Sequence, residues 1–450
     1  MFTNEQLEII HSQAAHRVVY AGPGSGKTAV LTNHLVALLH EGALSPSEIC
    51  VMTFTRQAAG ELKRRLLEGG SLTPFQVASL RIGTFHSLVF RMLIQMKVEV
   101  SPLLTESEQL RLIRSVMTRL GIHDKPHAWI SELSKANASW PLASKGRKAQ
   151  RMRASYEYQK QRAGRWDHDD VLLRFCERSE SRDALCTIAP IQYMLIDEFQ
   201  DTNAIQIHIL GRLCEYFNAP LFAVGDEDQS IYGFRGASPA WLLKFPQMFV
   251  GAKQHYLSAN FRSDESIVLH SDELIRHNKQ RSGKRPVIVS GNIGICRAFA
   301  WKSEWLEAKR VADHLTHRIS GNTHHESVAV LARTRAQLQH LARFVPQPVR
   351  GTVQFHTFHG SKGKEWDEVH VIGLVQHNPF TVDAGNRTDD EEERRLVYVA
   401  MTRSRHRLFL HVPLSMRGKR TNESHFVREA KINCQQGDED GVDPFLDNML

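Results

Sequence analysis

The residues best suited to chemistry lie near the N-terminus, where residues 21–28 read AGPGSGKT. Glycines let successive backbone N–H groups turn toward an anion, and a helix starting after them adds the positive end of its dipole. Lys27 could then reach the β- and γ-phosphates of a nucleoside triphosphate, while the hydroxyl of Thr28 could ligate Mg²⁺. Ala21 replaces the usual first glycine with the next smallest residue. A merely flexible glycine-rich turn would not explain the Lys-Thr pair.

A phosphate-binding loop also needs a metal ligand and a group that activates water. An apolar run at residues 193–196 (YMLI) ends in Asp197 and Glu198. Carboxylates at the C-terminal end of a buried strand are expected to lie beside the loop of a neighbouring strand. Asp197 would hold Mg²⁺, directly or through water, and Glu198 would orient and deprotonate the attacking water. Two solvated acids at a strand end are the alternative, but with the upstream loop the pair predicts hydrolysis of the nucleotide.

Strand-like and helical patterns alternate along the first hundred residues, which predicts βαβ units and a parallel sheet that would position these groups. Strands are predicted at residues 16–20, 49–54, 191–196, 221–224, 328–331 and 369–374, and helices at 27–39, 57–67, 106–120 and 150–162. Between residues 102 and 186 the pattern is helical, with no strand-like run. The sequence therefore predicts an α/β protein with two cores and a helical insertion in the first. Residues 166–170 (WDHDD) suggest a metal site, but the apolar helix that follows favours an N-terminal cap.

Composition narrows the class of protein. The 450 residues carry 42% hydrophobic and 24% charged residues and a net charge of +8, typical of a folded, soluble protein and favouring a polyanionic partner. Six scattered cysteines without a CxxC pair indicate a reducing compartment. The chain shows neither a signal-like N-terminus nor a long apolar run. We therefore expect a cytoplasmic protein without a membrane partner.

Further motifs follow in an order that resembles the superfamily 1 helicases of the UvrD/Rep/PcrA type over most of the chain. Besides the loop, the matching segments are residues 4–6 (NEQ), 53–55 (TFT), 83–87 (GTFHS), 197–202 (DEFQDT), 225–237 (GDEDQSIYGFRGA), 260–263 (NFRS), 356–366 (HTFHGSKGKEW) and 391–403 (EEERRLVYVAMTR). The resemblance implies two RecA-like P-loop NTPase cores with parallel sheets and an all-helical insertion in the first core. It divides the chain into core 1 (residues 1–101 and 187–262), the insertion (102–186), core 2 (263–434) and an acidic flexible tail (435–450).

The resemblance also implies roles in binding and hydrolysing ATP with Mg²⁺. Gln6 would read the adenine edge, Phe261 would stack on the base where the family usually has Tyr, and Glu365 would contact the ribose. Gln229 would sense the γ-phosphate, and Arg262 and Arg403 would contact it from the second core, although structural ion pairs are the alternative for both arginines. The predicted nucleotide-binding set is Gln6, Ala21, Gly22, Pro23, Gly24, Ser25, Gly26, Lys27, Thr28, Phe261 and Glu365, and the predicted catalytic set is Lys27, Asp197, Glu198, Gln229, Arg262 and Arg403.

The resemblance implies that single-stranded DNA would lie across both cores. The predicted contacts are Phe54, Thr55, Thr84, Phe85, His86, Tyr232, Phe234, Arg235 and His359. Aromatic stacking is sequence-tolerant, which suits a motor that must grip any sequence. Phe54 and Phe85 have a plain alternative as core residues beside strand ends.

The sequence differs from the long members of the family in the second core. Residues 334–352 replace the large helical domain found there, and no further module is expected after the last motif. Two hypotheses follow. The first is an ATP-dependent DNA helicase or translocase that moves 3′-to-5′ on single-stranded DNA. It would couple ATP hydrolysis to strand separation at duplex junctions, weakly or with help, in repair, replication, or mobile-element or antiphage defence. The second is a DNA-sensing ATPase that licenses a partner nuclease, as in a Gabija-like pair, and unwinds little alone.

Overall fold

The computed structural model describes residues 2–42, 44–142, 146–320, 326–376, 378 and 389–437. The chain divides into two compact units. The first unit comprises Met1–Ala21 and Gly26–Leu257, and the second comprises Gly22–Ser25 and Ser258–Leu450.

A six-stranded parallel sheet forms the centre of the first unit. Its strands are β1 (His16–Ala21), β2 (Ile49–Thr53), β3 (Arg81–Thr84), β4 (Tyr193–Ile196), β5 (Leu221–Gly225) and β6 (Lys253–Leu257), in the order β3-β2-β4-β5-β1-β6. β1 is buried on both faces: Val18 and Tyr20 pack into one apolar cluster, and Val19 and Ala21 pack into another. Burial on both faces is typical of parallel strands covered by helices, and it explains the continuous apolar runs of the sequence.

Several helices of the first unit begin at residues with side chains that accept backbone hydrogen bonds. Thr55 caps α3, Thr84 caps α5 and Thr105 caps α6. The helices are α1 (Asn4–Ile10), α2 (Lys27–His40), α3 (Arg56–Glu68), α4 (Pro74–Ser79), α5 (Phe85–Gln95), α6 (Glu106–Leu120), α7 (Pro126–Asn137), α8 (Arg147–Arg162), α9 (His168–Ser179), α10 (Arg182–Leu185), α11 (Ala204–Phe217), α12 (Pro239–Leu243) and α13 (Phe245–Met248).

The regular elements in the described residues of the predicted insertion are helices, apart from a single bridge between Leu103 and Trp166. Helices α6, α7 and α8 bury a small apolar core of their own, which includes Ile113 and Trp129. Asp167 caps α9 by accepting from the backbone N–H groups of Asp169 and Asp170. The buried ammonium group of Lys160 lies 3.0 Å from Asp167 and 2.8 Å from Asp170. The cap interpretation of residues 166–170 is therefore confirmed.

The second unit contains another six-stranded parallel sheet. Its strands are β9 (Ile295–Trp301), β10 (Val328–Ala332), β11 (Gln354–Thr357), β12 (Trp366–Ile372), β13 (Ser404–Pro413) and β16 (Cys434–Gln436), in the order β11-β10-β12-β13-β9-β16. Two short pairs accompany it: β7 (Ala259–Asn260) with β8 (Val287–Ile288), and β14 (Ser415–Met416) with β15 (Lys419–Arg420). The helices are α14 (Glu265–Ile275), α15 (Glu304–Ser320), α16 (Arg335–Ala342), α17 (Gln347–Arg350), α18 (Phe358–Ser361), α19 (Asp390–Met401) and α20 (His425–Glu429).

The two parallel sheets confirm the predicted α/β class. Between β10 and β11 the chain forms only the short helices α16 and α17, in the place where the sequence suggested a reduced connection. Two boundaries differ from expectation. The second unit resumes at Ser258, five residues before the expected start of core 2, and Gln435 and Gln436, assigned to the acidic tail, lie in β16 and pair with β9. Residues 438–450, the rest of that predicted tail, lie outside the described residues. In the part of the chain that the structure describes, every helix is too short or too polar to cross a membrane.

A row of buried polar side chains lies against the second sheet. Nε2 of His314 and Nε2 of His370 are each 3.0 Å from Oε1 of Glu368, and Arg407 donates to the other carboxylate oxygen at 2.7 Å. Burial would raise the pKa of Glu368, but hydrogen bonds from the two histidines hold it well below its usual value. The geometry resembles a metal-ligand set, yet these contacts already satisfy both carboxylate oxygens, so we interpret the row as structural.

Candidate functional site

The predicted phosphate-binding loop joins β1 to α2, as the sequence requires. Gly24 and Gly26 have φ values of +68° and +83°, a left-handed conformation that glycine adopts without strain. Gly26 occupies the N-cap of α2 without a side-chain cap. The first N–H groups of the helix, which form the positive end of its dipole, therefore face the loop. The buried Ser25 hydroxyl donates to the carbonyl of Gly22 at 2.8 Å and closes the turn. This backbone fits an anionic phosphate.

Gln6 lies directly against this loop. A Cβ atom added to Gly26 would come within 2.8 Å of Nε2 of Gln6. The Gln6 side chain is buried, and its Oε1 accepts from the backbone N–H of Thr3 at 3.0 Å within the capping box of α1. The structure therefore brings together two sequence-distant parts of the predicted nucleotide-binding set.

Asp197 and Glu198 follow β4 at the carboxyl edge of the first sheet, where they were predicted. Their strand is not the immediate neighbour of β1, because β5 lies between β4 and β1. The prediction that the carboxylates lie beside the loop of an adjacent strand is thus wrong by one strand. Glu198 has a φ of +55°, an uncommon conformation for a residue with a Cβ atom. Such strain is typical of residues held in place for a function.

The intervening strand β5 leads to Asp226, a residue of the site that the sequence analysis did not predict. Asp226 follows β5 and is fully buried, and its Oδ2 lies 4.0 Å from Nζ of Lys27. Gln229, predicted to sense the phosphate, donates from Nε2 to that same Oδ2. The sequence contained a signal for Asp226, since it opens the GDEDQ segment immediately after an apolar run, the same pattern that identified Asp197.

Gln200 connects the two carboxylate positions. Its Nε2 donates to Oε2 of Glu198, and its Oε1 accepts from the backbone N–H of Asp226 at 2.9 Å. The Gln200 side chain is fully buried, and a Cβ atom on Gly225 would come within 2.4 Å of its Oε1. A single amide therefore fixes the position of Glu198 relative to Asp226. Spacing alone could not reveal this bridge, because it depends on the curvature of the 3-10 turn at Phe199–Asp201.

The donor set suits the cofactor that the sequence implies. Mg²⁺ prefers hydroxyl, carboxylate and water oxygens, which Thr28 at the start of α2 and Asp197 after β4 can offer. The left-handed glycines of the loop and the start of α2 place backbone N–H groups where phosphate oxygens could bind. The residues present thus fit a nucleoside triphosphate with its metal ion.

The second unit, which includes Gly22–Ser25 of the loop, brings several predicted nucleotide contacts together. The backbone N–H of Phe261 donates to the carbonyl of Gly24 at 3.0 Å, and the Phe261 ring is 47% exposed. Gly24 has no room for a side chain, since a Cβ atom would meet Cβ of Arg262 at 2.6 Å. Arg262 pairs with Glu365 at 2.6 Å through Nε. In this structure Arg262 therefore adopts the ion pair that was its alternative, and its partner is the predicted ribose contact.

Glu365 lies between two guanidinium groups, because Arg405 also pairs with it. Burial would raise the pKa of Glu365, but the hydrogen bonds and charges of Arg405 and Arg262 outweigh that effect and lower it. Arg405 was not anticipated from the sequence; it lies two residues after the last motif. Arg403 is almost fully buried and donates to the carbonyls of Val399 at 2.8 Å and Lys364 at 3.3 Å.

Four predicted DNA contacts form one cluster in the first unit. The rings of Phe54 and Tyr232 are stacked with centroids 4.7 Å apart, and Phe234 meets Tyr232 edge-on at 6.0 Å. The Arg235 guanidinium lies 5.7 Å from the Tyr232 ring and 5.4 Å from the Phe234 ring. The rings of Phe54 and Phe234 are partly exposed, so this aromatic cluster can offer flat faces to bases.

The other predicted DNA contacts are placed differently. Thr55 and Thr84 cap α3 and α5, and this structural use alone would explain both residues. Phe85 is 5% exposed and packs in the core, which favours its alternative interpretation. Burial, together with the charges of His168 and Arg235, lowers the pKa of His86 to about 4, so its imidazole is neutral. His359 lies partly exposed in α18 of the second unit.

Comparison with known proteins gives consistent matches. Residues 2–250 match the model of the UvrD/REP helicase N-terminal domain, and residues 346–414 match the UvrD-like helicase C-terminal domain. A putative ATP-dependent DNA helicase YjcD of Bacillus subtilis is 32% identical over 74% of this chain and 46% of its own length. The ATP-dependent DNA helicase PcrA of Staphylococcus aureus is 28% identical over 88% of this chain and 55% of its own length. The chain spans about half the length of these curated relatives.

Proposed function

The chain belongs to the UvrD/REP helicase family, and on that basis we propose that it is a DNA-stimulated ATPase that moves along single-stranded DNA. The relatives named ATP-dependent DNA helicases support ATP as the fuel and DNA as the track. The observation that carries the proposal is the network in the first unit, which joins Lys27, Asp226, Gln229, Gln200 and Glu198. A structural role alone would not require a buried carboxylate, two buried amides and a strained glutamate at the edge of one sheet.

In the proposed reaction, each group of this chain acts on a defined part of the nucleotide. Lys27 neutralises charge on the β- and γ-phosphates, and backbone N–H groups of the loop hold the phosphate oxygens. Glu198, fixed by Gln200, orients and deprotonates the attacking water. Mg²⁺, bound through Thr28 and Asp197, would add electrostatic stabilisation of the transferred phosphoryl group. Arg262 and Arg403 would stabilise charge that develops on the γ-phosphate, as planar and permanently charged groups can.

For Arg262 this role does not require release from Glu365. Its guanidinium has five N–H donors, and Nε is the one that pairs with Glu365 while Nη1 donates to the carbonyl of Thr402. Donors therefore remain for a phosphate even if the pair persists. Gln6 would hold the adenine edge and Phe261 would stack on the base.

Movement is the finer part of the proposal. We propose travel 3′-to-5′ with bases stacked on Tyr232 and Phe234, which the resemblance implies and the partly exposed aromatic cluster supports. Stacking is worth about 1–3 kcal/mol per base regardless of sequence, so such a cluster can bind and release any strand. The net charge of +8 favours the same partner.

A strand-displacement assay tests movement directly. The protein alone, with ATP and Mg²⁺, is given duplexes that carry either a 3′ or a 5′ single-stranded tail. The proposal predicts ATP-dependent displacement of the 3′-tailed duplex and little displacement of the 5′-tailed one. Preferential displacement of the 5′-tailed duplex would overturn the proposed 3′-to-5′ direction. DNA-stimulated hydrolysis without any displacement would instead support the second hypothesis, in which a partner such as a nuclease is licensed by the ATPase cycle.

A further inference from the structure

A cavity of about 430 Å³ lies within the first unit, between the helical insertion and the sheet that carries the aromatic cluster. Its volume falls within the range of roughly 300–1,000 Å³ that is usual for small-molecule sites. One wall contains Phe54 and Arg235 of the aromatic cluster, together with Phe85 and His86. The cavity therefore adjoins the proposed path of single-stranded DNA, although most of its lining was not part of the predicted DNA contacts.

The insertion supplies polar residues to the same lining, among them Ser134, Asn137 and Asp169. Asp169 keeps part of its surface accessible there, and it accepts from Nδ2 of Asn137 at 3.1 Å and from the Ser134 hydroxyl at 3.4 Å. Burial, followed by the nearby charge of Asp167, raises the pKa of Asp169 to about 6, so the group is largely ionised at pH 7. A carboxylate offers about four lone-pair sites, and these two contacts use only two of them.

The cavity thus combines flat apolar walls with a hydrogen-bond acceptor that has capacity left. The Phe54 and Phe85 rings supply apolar faces, and the neutral His86 imidazole adds a third ring. A flipped nucleobase is recognised elsewhere by the same combination, with aromatic walls around the ring and polar groups at its Watson–Crick edge.

We propose that this cavity is a side pocket that receives one base extruded from single-stranded DNA, with the amino-bearing edge of that base donating to Asp169. The proposal rests on the proposed function, since it assumes that DNA follows the aromatic cluster. It goes further by assigning a base preference to a motor otherwise expected to ignore sequence. Guanine is the favoured occupant, because its N1–H and N2 amino group are adjacent donors that match one carboxylate. Thymine has a single N–H flanked by two acceptors, which a carboxylate repels.

The test compares thymine oligonucleotides in which every fourth base is guanine or hypoxanthine. Hypoxanthine keeps N1–H and lacks only the 2-amino group. The measured quantity is the DNA concentration that gives half-maximal stimulation of ATP hydrolysis. For the natural protein we expect a value about fivefold lower with guanine than with hypoxanthine, as one specific base contact gives. Asp169→Asn should make the two values equal. Asp124→Asn, which alters an exposed acid of the same insertion, should preserve the difference between them.

A second variant keeps the test decisive if Asp169→Asn does not fold. Ile130→Trp fills the cavity from α7 without altering Asp169, and it too should bring the guanine-to-hypoxanthine ratio to one. Equal stimulation by both oligonucleotides in the natural protein would overturn the pocket and leave the proposed function intact. Failure of both oligonucleotides to stimulate hydrolysis would instead contradict the proposed function itself.

Discussion

Among single residues, Gln200 connects more of the proposed chemistry than any residue named from the sequence. It holds Glu198 through Nε2 and the backbone of Asp226 through Oε1. We predict that Gln200→Ala lowers kcat for ATP hydrolysis about 10- to 100-fold, because an unsupported Glu198 loses the alignment that general-base catalysis needs. The KM for ATP should change less than threefold, since Lys27 and the loop remain.

Steady-state kinetics at saturating DNA would measure both constants. Gln192→Ala is the matched control, because Gln192 is exposed and only bridges to Glu48 at 2.7 Å. A Gln200 variant that raised KM and left kcat unchanged would show that the amide serves binding and not alignment of the base.

Phe234 tests the aromatic cluster. Phe234→Ala removes one partly exposed ring and should raise the DNA concentration needed for half-maximal ATPase stimulation about 5- to 100-fold, the cost of one lost stacking contact. Phe75→Ala is the control, since that ring is 82% exposed and lies in α4, outside the cluster. If the two variants required the same DNA concentration as the natural protein, Phe234 would not belong to the DNA track.

At the scale of elements, helix α15 contains a carboxyl group whose titration should be visible in stability. Glu307 is buried and accepts from the backbone N–H of Gly373 at 2.9 Å, and burial raises its pKa to about 8. The folded protein then binds a proton that the unfolded chain releases between about pH 4.5 and pH 8. Stability contributed by this group is therefore full below pH 4.5 and falls as the pH rises to 8.

We predict that Glu307→Gln keeps the hydrogen bond, flattens this pH dependence and raises Tm relative to the natural protein at pH 8.5. The difference should correspond to about 2–4 kcal/mol. Thermal melts at pH 5.5 and 8.5 would measure it. Asp313→Asn, an exposed change in the same helix, should leave the difference between the two melts intact. Parallel pH profiles for the natural protein and Glu307→Gln would show that Glu307 does not titrate in this range.

Elements with strong local signals were predictable. The apolar run of β1, the glycine loop and α2 follow from spacing alone, and α6 was predicted with its observed bounds, since Thr105 and Glu108 form its capping box. Of the strands in the two main sheets, β3, β6, β9, β11, β13 and β16 were not predicted. β6, for example, alternates exposed and buried residues and contains Lys253 and Gln254, so its sequence does not look like a buried strand. Its place at a sheet edge is a tertiary property.

The candidate site, too, could be predicted only in part. Residue types in contiguous motifs identified Lys27, Asp197 and Glu198, because their chemistry depends on one loop or one strand end. The ion pair of Arg262 with Glu365, and the stacking of Phe54 on Tyr232, join residues more than a hundred positions apart. The order of strands decides such contacts, and the position of β5 between β4 and β1 could not be read from spacing.

At the scale of the whole molecule, the predicted ATP-site residues are distributed over both units. Lys27, Asp226 and Glu198 belong to the first unit, whereas Arg262 and Arg403 belong to the second. We predict that Arg403→Ala slows turnover at saturating ATP about 10- to 100-fold while ATP binding weakens less, because charge on the γ-phosphate grows along the reaction. Rates and nucleotide affinity measured separately would distinguish this from a defect in binding alone, which would contradict the proposed role.

The most direct test of the motor proposal is the rate of ATP hydrolysis with single-stranded DNA, with single-stranded RNA and with neither, for the natural protein, Lys27→Ala and Lys253→Ala. Lys253 is an exposed lysine that pairs with Glu8 at 2.9 Å, so its loss should be silent. The proposal predicts at least tenfold stimulation by DNA in the natural protein and Lys253→Ala, and loss of hydrolysis in Lys27→Ala, about 100-fold or more. Hydrolysis that is indifferent to nucleic acid, or that survives in Lys27→Ala, would contradict it.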